Sequence, residues 1–494
     1  MYLRANPSLK APEPDVLFTD TLFLFYFLPF ALLLHWLATL PALKHRQYGN
    51  LARIAVFTLS VVFYGFKSPW WLIPFFISIG FDFVWASLLH RSQNPTARKL
   101  LVWLSVVQNL SLLALFKYWD FIGDNLSSVS AGAALPHLTM DNAGRLGLPA
   151  GISFYTFESL SFVVDVYRRE VEPPRNPLRF FAFIGMFPRF IAGPIVRYKD
   201  MTAQFSNYRG MQIQRGLAVF AVGLFLKTCL ADSCEVLSNY AFSSGEVALN
   251  ASSAWLGVFA YTLQIYLDFS GYSLMATGLG ITLGFEFPAN FNRPYLAASI
   301  SDFWRRWHMS LSTWLRDYLY IALGGSRKGE ARTQLNLMLT MLIGGLWHGA
   351  SWLFVLWGAW HGSWLCLERA FPIYKRLPQW LNRGRVLVQV MIGWVLFRAA
   401  DWQQCKAVLV GMVSFNSETA FNPSGLAVNP MHVGFFVLAV LYCFVLEARL
   451  PWPLWKDTEE LTLGRAALAA GLLVLSLLVA TSAIKPIPFL YFQF

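Results

Sequence analysis

Long apolar runs separated by short basic loops follow one another along the whole chain. A helix needs about 20 apolar residues to cross a bilayer, fewer where protein covers it. Runs near 17–40, 52–66, 70–89, 100–117, 149–166, 213–231, 254–284, 334–349, 351–367, 386–400, 432–448 and 466–484 predict such helices, several of them short for a full crossing. The run 179–196 differs, because Pro188, Gly193 and Pro194 lie within it and basic loops flank it. It predicts a re-entrant or broken helix. The stretch 288–333 is not a simple span either: Asn290, Asn292, Arg293, Asp302, Arg305, Arg306, Arg316 and Asp317 interrupt it. Within it Trp304, Trp307, Leu311, Trp314, Leu315 and Tyr318 recur at three- and four-residue steps. That period predicts an amphipathic helix lying in the interface or lining a protein-walled cavity. The expected fold is all-α, a polytopic transmembrane helical bundle of about 11–12 spans with re-entrant and interfacial helices. No linker, low-complexity tract or repeat divides it, so residues 1–494 read as one membrane-embedded domain.

Composition strengthens this reading. Only 13% of residues are charged and 56% are hydrophobic, whereas a soluble domain carries about a quarter charged residues. The net charge of +12 does not imply nucleic acid, since the cations sit mostly in short loops between apolar runs, the positive-inside pattern. Arg46 and Arg53, then Arg91, Arg98 and Lys99, then Arg168, Arg169, Arg175 and Arg179 mark cytoplasmic sides. The loop 232–253 has Asp232, Glu235 and Glu246 and no Lys or Arg, so it is expected outside. Threading puts 285–333 inside and the loops 118–147 and 401–431 outside. The mixed charges of 449–465 give the threading little support. The five cysteines lack CxxC spacing, so structural thiols are expected and no metal site. The run from Val16 to Leu40 is too long and too aromatic for a cleavable leader.

Two histidines stand out against this background. His308 lies in Phe303-Trp304-Arg305-Arg306-Trp307-His308, and His348 in Gly344-Gly345-Leu346-Trp347-His348-Gly349. Ionisable side chains at membrane depth are costly and mark candidate functional sites, and imidazole moves protons near neutral pH. The competing reading is a pair of structural histidines bonded to backbone carbonyls. His361, in Trp360-His361-Gly362, reads as a packing or supporting residue, and His35, His45, His90, His137 and His432 carry no motif. Arg305 and Arg306 beside Trp304 and Trp307 suit phosphate groups of a ligand. They suit anchoring at the membrane surface equally well. Asp268 needs a partner, expected to be an arginine or a backbone turn. Lys227 is expected to snorkel.

The motifs resemble the membrane-bound O-acyltransferase family, and within it the bacterial alginate O-acetylase branch. The matching blocks are Gln264 to Ser273 (QIYLDFSGYS), Phe287 to Tyr295 (FPANFNRPY), 303–325, and Gly344 to Trp352 (GGLWHGASW), in the family's order. Leu148 to Phe157, Ile191 to Ile195 and Pro488 to Phe494 match as well. Leu274-Met275 departs from the pattern, where relatives often carry an acidic residue. The resemblance implies that His348 is the catalytic residue and His308 its companion. His348 would take the proton of an acceptor hydroxyl, and the glycines around it would let backbone approach closely. His308, Asn336 or the indole N–H groups, Trp347 among them, would orient the base or the acyl carbonyl.

The resemblance further implies a multi-pass protein of the bacterial inner membrane, embedded in the lipid bilayer, with no bound cofactor and no nucleic-acid partner. Its donor would be cytoplasmic acetyl-CoA or an acyl-carrier thioester. The acceptor would be an exopolysaccharide such as alginate, reached through a periplasmic or extracellular acetyltransferase partner. The outer loops are too short for an independent domain and lack a GxSxG motif. Peptidoglycan O-acetylation and D-alanyl transfer to teichoic acid are alternatives within related branches. A glycan or lipid transporter would predict inverted repeats and charges in several spans, and a non-catalytic scaffold would tolerate loss of His348.

Overall fold

A computed structural model gives the structure of residues 18–45, 48–66, 68–129, 148–190, 193–242, 249–415, 429–450, 462–482 and 487–490. Among these residues the regular elements are all helices. Six are long and apolar enough to cross a membrane: Phe23–Pro41, Pro69–Arg91, Pro95–Ser128, Ile213–Phe242, Pro430–Arg449 and Leu463–Ser482. The other expected spans are helical too, but shorter or more polar. Ile152–Tyr167 shows why: its two ends apart, almost every residue is buried, including Ser153, Thr156, Glu158, Ser159, Ser161 and Asp165. Its polar side chains are buried in protein, so the helix need not be apolar throughout.

The chain groups into two compact units. The first comprises 1–212, 280–285 and 488–494. A buried carboxylate organises part of it: Asp82 accepts hydrogen bonds from Ser105 Oγ (2.5 Å), Asn109 Nδ2 (2.8 Å) and Ser159 Oγ. One side chain thereby joins the helices Leu72–Arg91, Pro95–Leu113 and Ile152–Tyr167. The expected break near 179–196 is present as two short helices, Pro177–Ile184 and Phe187–Phe190. Arg189, between Pro188 and Phe190, pairs with buried Glu158, which also accepts from the Val196 N–H at 3.1 Å.

The second unit comprises 213–279 and 286–487. Here the Ile213–Phe225 helix continues through a π-helical turn, Leu226–Ala231, into Asp232–Phe242. It packs backbone to backbone on Ala251–Thr282, since a Cβ on Gly223 would lie 2.6 Å from the Gly271 carbonyl oxygen. That close approach brings Lys227 Nζ to 2.8 Å from Asp268 Oδ1 and 2.6 Å from Asp232 Oδ1. Lys227 therefore does not snorkel: it is 2% exposed, and Asp268 takes this lysine, where an arginine or a backbone turn was expected. The helices Glu330–His348 and Trp352–Ala370 form a hairpin with equally close contact. A Cβ on Gly345 would strike the Phe354 carbonyl oxygen, and one on Gly358 the Met341 carbonyl oxygen. Small residues are what allow helix backbones to meet in a membrane.

Three expected outer loops begin as helix. Trp119–Val129 extends Pro95–Leu113 through a π-helical turn at Ala114–Tyr118, and Asp232–Phe242 follows in the same way. Trp402–Gly411 is capped by Asp401, whose side chain accepts from Gln404 N. Loop polarity therefore overstated loop length, because a helix can run on once a cap or an ion pair satisfies its polar groups. The remaining loop segments 130–147, 243–248 and 416–428, together with 451–461 and the terminal 491–494, lie outside the described residues.

Candidate active site

The segment 286–320 is not one amphipathic helix. It is assembled from Pro294–Leu296, Ile300–Trp304, Met309–Trp314 and a π-helical turn at Leu315–Tyr320. Ser299 caps the second piece by accepting from Asp302 N at 3.0 Å. The Ile300 N–H donates to the Glu368 carboxylate at 2.9 Å, and Arg385 Nη2 holds that carboxylate at 2.8 Å. The helical path then breaks at His308, whose backbone is left-handed, with φ 41° and ψ 55°. A non-glycine residue there costs on the order of 1 kcal/mol and persists only where its surroundings hold it, most often at functional sites.

Those surroundings are specific. Backbone bonds run from Met309 N to Asn290 O and from Asn292 N to Arg306 O, both 2.8 Å, and tie the His308 turn to the 290–292 loop. Asn290 is 2% exposed. Its Oδ1 lies 3.1 Å from His308 Nδ1, 2.8 Å from Ser310 Oγ and 3.3 Å from Ser310 N, and its Nδ2 donates to Ser273 Oγ at 3.1 Å. Phe269 presents its ring edge-on to the imidazole, with centroids 4.7 Å apart. Burial pushes the His308 imidazole down to about 3. His308 is therefore neutral near pH 7.

His348 ends the Glu330–His348 helix and is buried. Its ring packs against Trp347 (5.0 Å), Trp357 (5.0 Å) and Phe397 (5.2 Å). Trp347 also lies 6.3 Å from the His308 ring, so the two imidazoles both contact one indole despite 40 residues of separation. Trp357 plays the same part on the other side of His348, because it also touches His361 at 5.0 Å. His361 stacks on Phe303 and meets Trp304 edge-on, and neither of its ring nitrogens has a hydrogen-bond partner among the described residues.

The other expected site residues divide by environment. Trp307 is buried, stacked on Phe303 and packed against Phe291 and Trp394. Trp304 is half-buried over Trp357 and His361. Arg305 is exposed, whereas Arg306 is held by Asp302 (2.9 Å) and bonds the Asn292 carbonyl. Asn336 is buried away from these contacts and donates to the Gly325 carbonyl at 2.8 Å. Asn290, Ser273 and the Glu368–Arg385 pair escaped the sequence reading. Asn290 was visible as a polar break in an apolar run, but only tertiary contact distinguishes it from Asn292. Among the described residues no group of three or more His, Cys, Asp or Glu side chains is placed to hold a metal ion.

Geometrically, the site is a buried aromatic enclosure in which two imidazoles are in ring contact with one indole. Such a chamber suits proton transfer from a hydroxyl. The membrane-bound O-acyltransferase family model matches residues 99–395, which include the whole chamber apart from Phe397. A probable alginate O-acetylase of Azotobacter vinelandii is 38% identical, over 97% of this chain and 100% of its own length. A probable alginate O-acetylase of Pseudomonas aeruginosa is 40% identical over 86% of this chain and 80% of its own. A peptidoglycan O-acetyltransferase of Helicobacter pylori is 34% identical over 81% of this chain and 80% of its own. With its family match, its full-length relatives and its membrane-spanning helices, this chain belongs to the membrane-bound O-acyltransferase family and is a multi-pass O-acyltransferase.

Proposed function

We propose that the protein takes acetyl from a cytoplasmic thioester, acetyl-CoA, and relays it across the inner membrane for O-acetylation of an exopolysaccharide such as alginate. The observation that carries the reading is the pair of buried imidazoles that both contact Trp347. His348 acts as general base. It removes the acceptor hydroxyl proton as the oxygen attacks the thioester carbonyl, and the expelled thiolate takes a proton in turn. His308 orients the reacting groups. The acetyl group and the polysaccharide acceptor are supported by the names of the relatives, two of them probable alginate O-acetylases and one a peptidoglycan O-acetyltransferase.

The donor is assigned to the cytoplasmic face near 293–332, where basic and tryptophan residues gather. Arg305 is exposed beside half-buried Trp304 and suits a phosphate, while Arg306, already tied to Asp302, shapes the loop. Reversing both charges (Arg305→Glu, Arg306→Glu) should raise the apparent KM for acetyl-CoA about tenfold, equivalent to ~1.4 kcal/mol. Added salt should weaken the wild type and partly relieve the variant, because it screens attraction in one and repulsion in the other. An unchanged KM would leave these arginines as membrane anchors.

A polysaccharide strand is too bulky for a helix bundle, so final transfer belongs to an envelope-side partner that carries acetyl covalently. Vesicles holding the purified protein, with acetyl-CoA inside and polymer outside, test the whole scheme. CoA release inside, with polymer acetylation only when an extracytoplasmic acetyltransferase is added, is expected. Efficient acetylation without a second protein removes the partner from the scheme, and absence of CoA release under any condition removes the donor.

A further inference from the structure

His308, in the orienting role proposed for it, could act through either ring nitrogen. Asn290 distinguishes them. The oxygen and nitrogen of an asparagine amide are told apart only by their hydrogen-bond partners, and here a backbone group decides. The Ser310 N–H can only donate, so the Asn290 atom facing it must be the acceptor Oδ1. The Ser310 hydroxyl donates to the same oxygen at 2.8 Å, and Nδ2 points the opposite way, toward Ser273 Oγ. This fixed carbonyl oxygen lies 3.1 Å from His308 Nδ1. Were Nδ1 unprotonated, two lone pairs would face each other at hydrogen-bonding distance in a fully buried site. The Ser310 hydroxyl, 3.5 Å from Nδ1, is too far to rescue that arrangement.

We infer that Asn290 is a positioning residue that locks His308 in the Nδ1–H tautomer, so that its Nε2 bears a lone pair and accepts a hydrogen bond from a donor other than the hydroxyl proton that His348 removes. This rests on the placement of His308 in the reaction chamber and narrows its role. A neutral imidazole of this tautomer cannot donate from Nε2 to an acyl carbonyl or to the oxyanion that forms from it, so that stabilisation comes from elsewhere. The group His308 recognises is a hydroxyl or another proton donor. The left-handed backbone of His308 and the two 2.8 Å backbone bonds around it serve the same end, since they hold the ring at the one angle that meets Asn290. Phe269 and Trp347 pack against the ring, and His348 is a titratable group beyond Trp347.

Nitrogen-15 NMR of the full-length protein with labelled histidine, in nanodiscs, reads the tautomer directly, and the His308 signals are those lost in His308→Gln. Wild-type protein should show a protonated Nδ1 and a pyridine-like Nε2 at pH 7. Asn290→Leu, which removes the acceptor, should release a mixture of tautomers and lower kcat about 100-fold with little change in KM for acetyl-CoA. Asn290→Asp keeps an acceptor oxygen. It should hold the tautomer, recover most of the activity, and move the acidic limb of the pH–rate profile upward, because a carboxylate at Nδ1 favours imidazolium. In a His308→Ala background, Asn290→Leu should cost nothing further. A protonated Nε2 in the wild type overturns the inference, as does loss of activity in Asn290→Leu with the tautomer unchanged. If Asn290→Leu fails to fold, the wild-type spectrum and Asn290→Asp still decide. The tautomer is read without turnover, so failure of the acetyl-CoA scheme leaves this measurement standing and is told apart from it.

Discussion

Alanine at His348 should abolish acyl transfer, lowering the rate by about two to four orders of magnitude, the usual effect of losing a general base. The expectation rests on placement. His348 closes a helix whose partner in the hairpin touches it backbone to backbone, and three aromatic rings enclose its imidazole. His348 is buried, so a base from solvent should not substitute at the same angle. Expression and membrane insertion should persist, because trimming the ring leaves the glycine-lined hairpin seam untouched. Acetate content of the polymer, together with CoA release by the purified variant, measures the effect. Wild-type acetate in the variant strain would remove His348 from catalysis and favour a scaffold.

Lys227→Met should produce the largest loss of stability. Its ammonium is shared by Asp232 and Asp268 within a helix crossing that is almost wholly buried. Removing one partner of a buried ion pair typically costs ~3–5 kcal/mol, since the remaining charge stays in a low-dielectric site. With two carboxylates left facing each other, the cost should fall at the upper end of that range. Thermal unfolding in detergent should register a clear drop in midpoint and poor accumulation in cells. The triple variant Lys227→Met, Asp232→Asn, Asp268→Asn should recover much of the loss, because neutral amides need no counterion. A single variant as stable as wild type would mean that these carboxylates do not depend on the lysine.

The parts of the molecule legible in the sequence were those in which a residue departs from its background. His308 and His348 are ionisable groups in apolar runs, and the chamber brings both to Trp347. Helix positions followed from apolar run length. What escaped was set by contacts between distant segments. The tryptophan period of 304–318 predicts a continuous helix, but the bonds from Asn290 and Asn292 pull His308 out of it. Lys227 looked like a span-end cation because its two carboxylates lie five and 41 residues away, and only the crossing at Gly223 and Gly271 unites them. Asn336, beside the glycine-rich helix end in sequence, bonds the Gly325 turn.

The seam between Gly345 and Gly358 also bears on what evolution can alter in this protein. A helix turns by about 100° per residue, so one inserted or deleted residue within the helical stretches 341–348 or 352–358 would rotate a side chain toward a backbone carbonyl of the seam. The outward positions Leu335, Ile343, Leu356 and Leu367 meet no such limit, being exposed. Apolar substitutions on the outer surface of this hairpin should therefore be tolerated, while changes in the length of its helices should not.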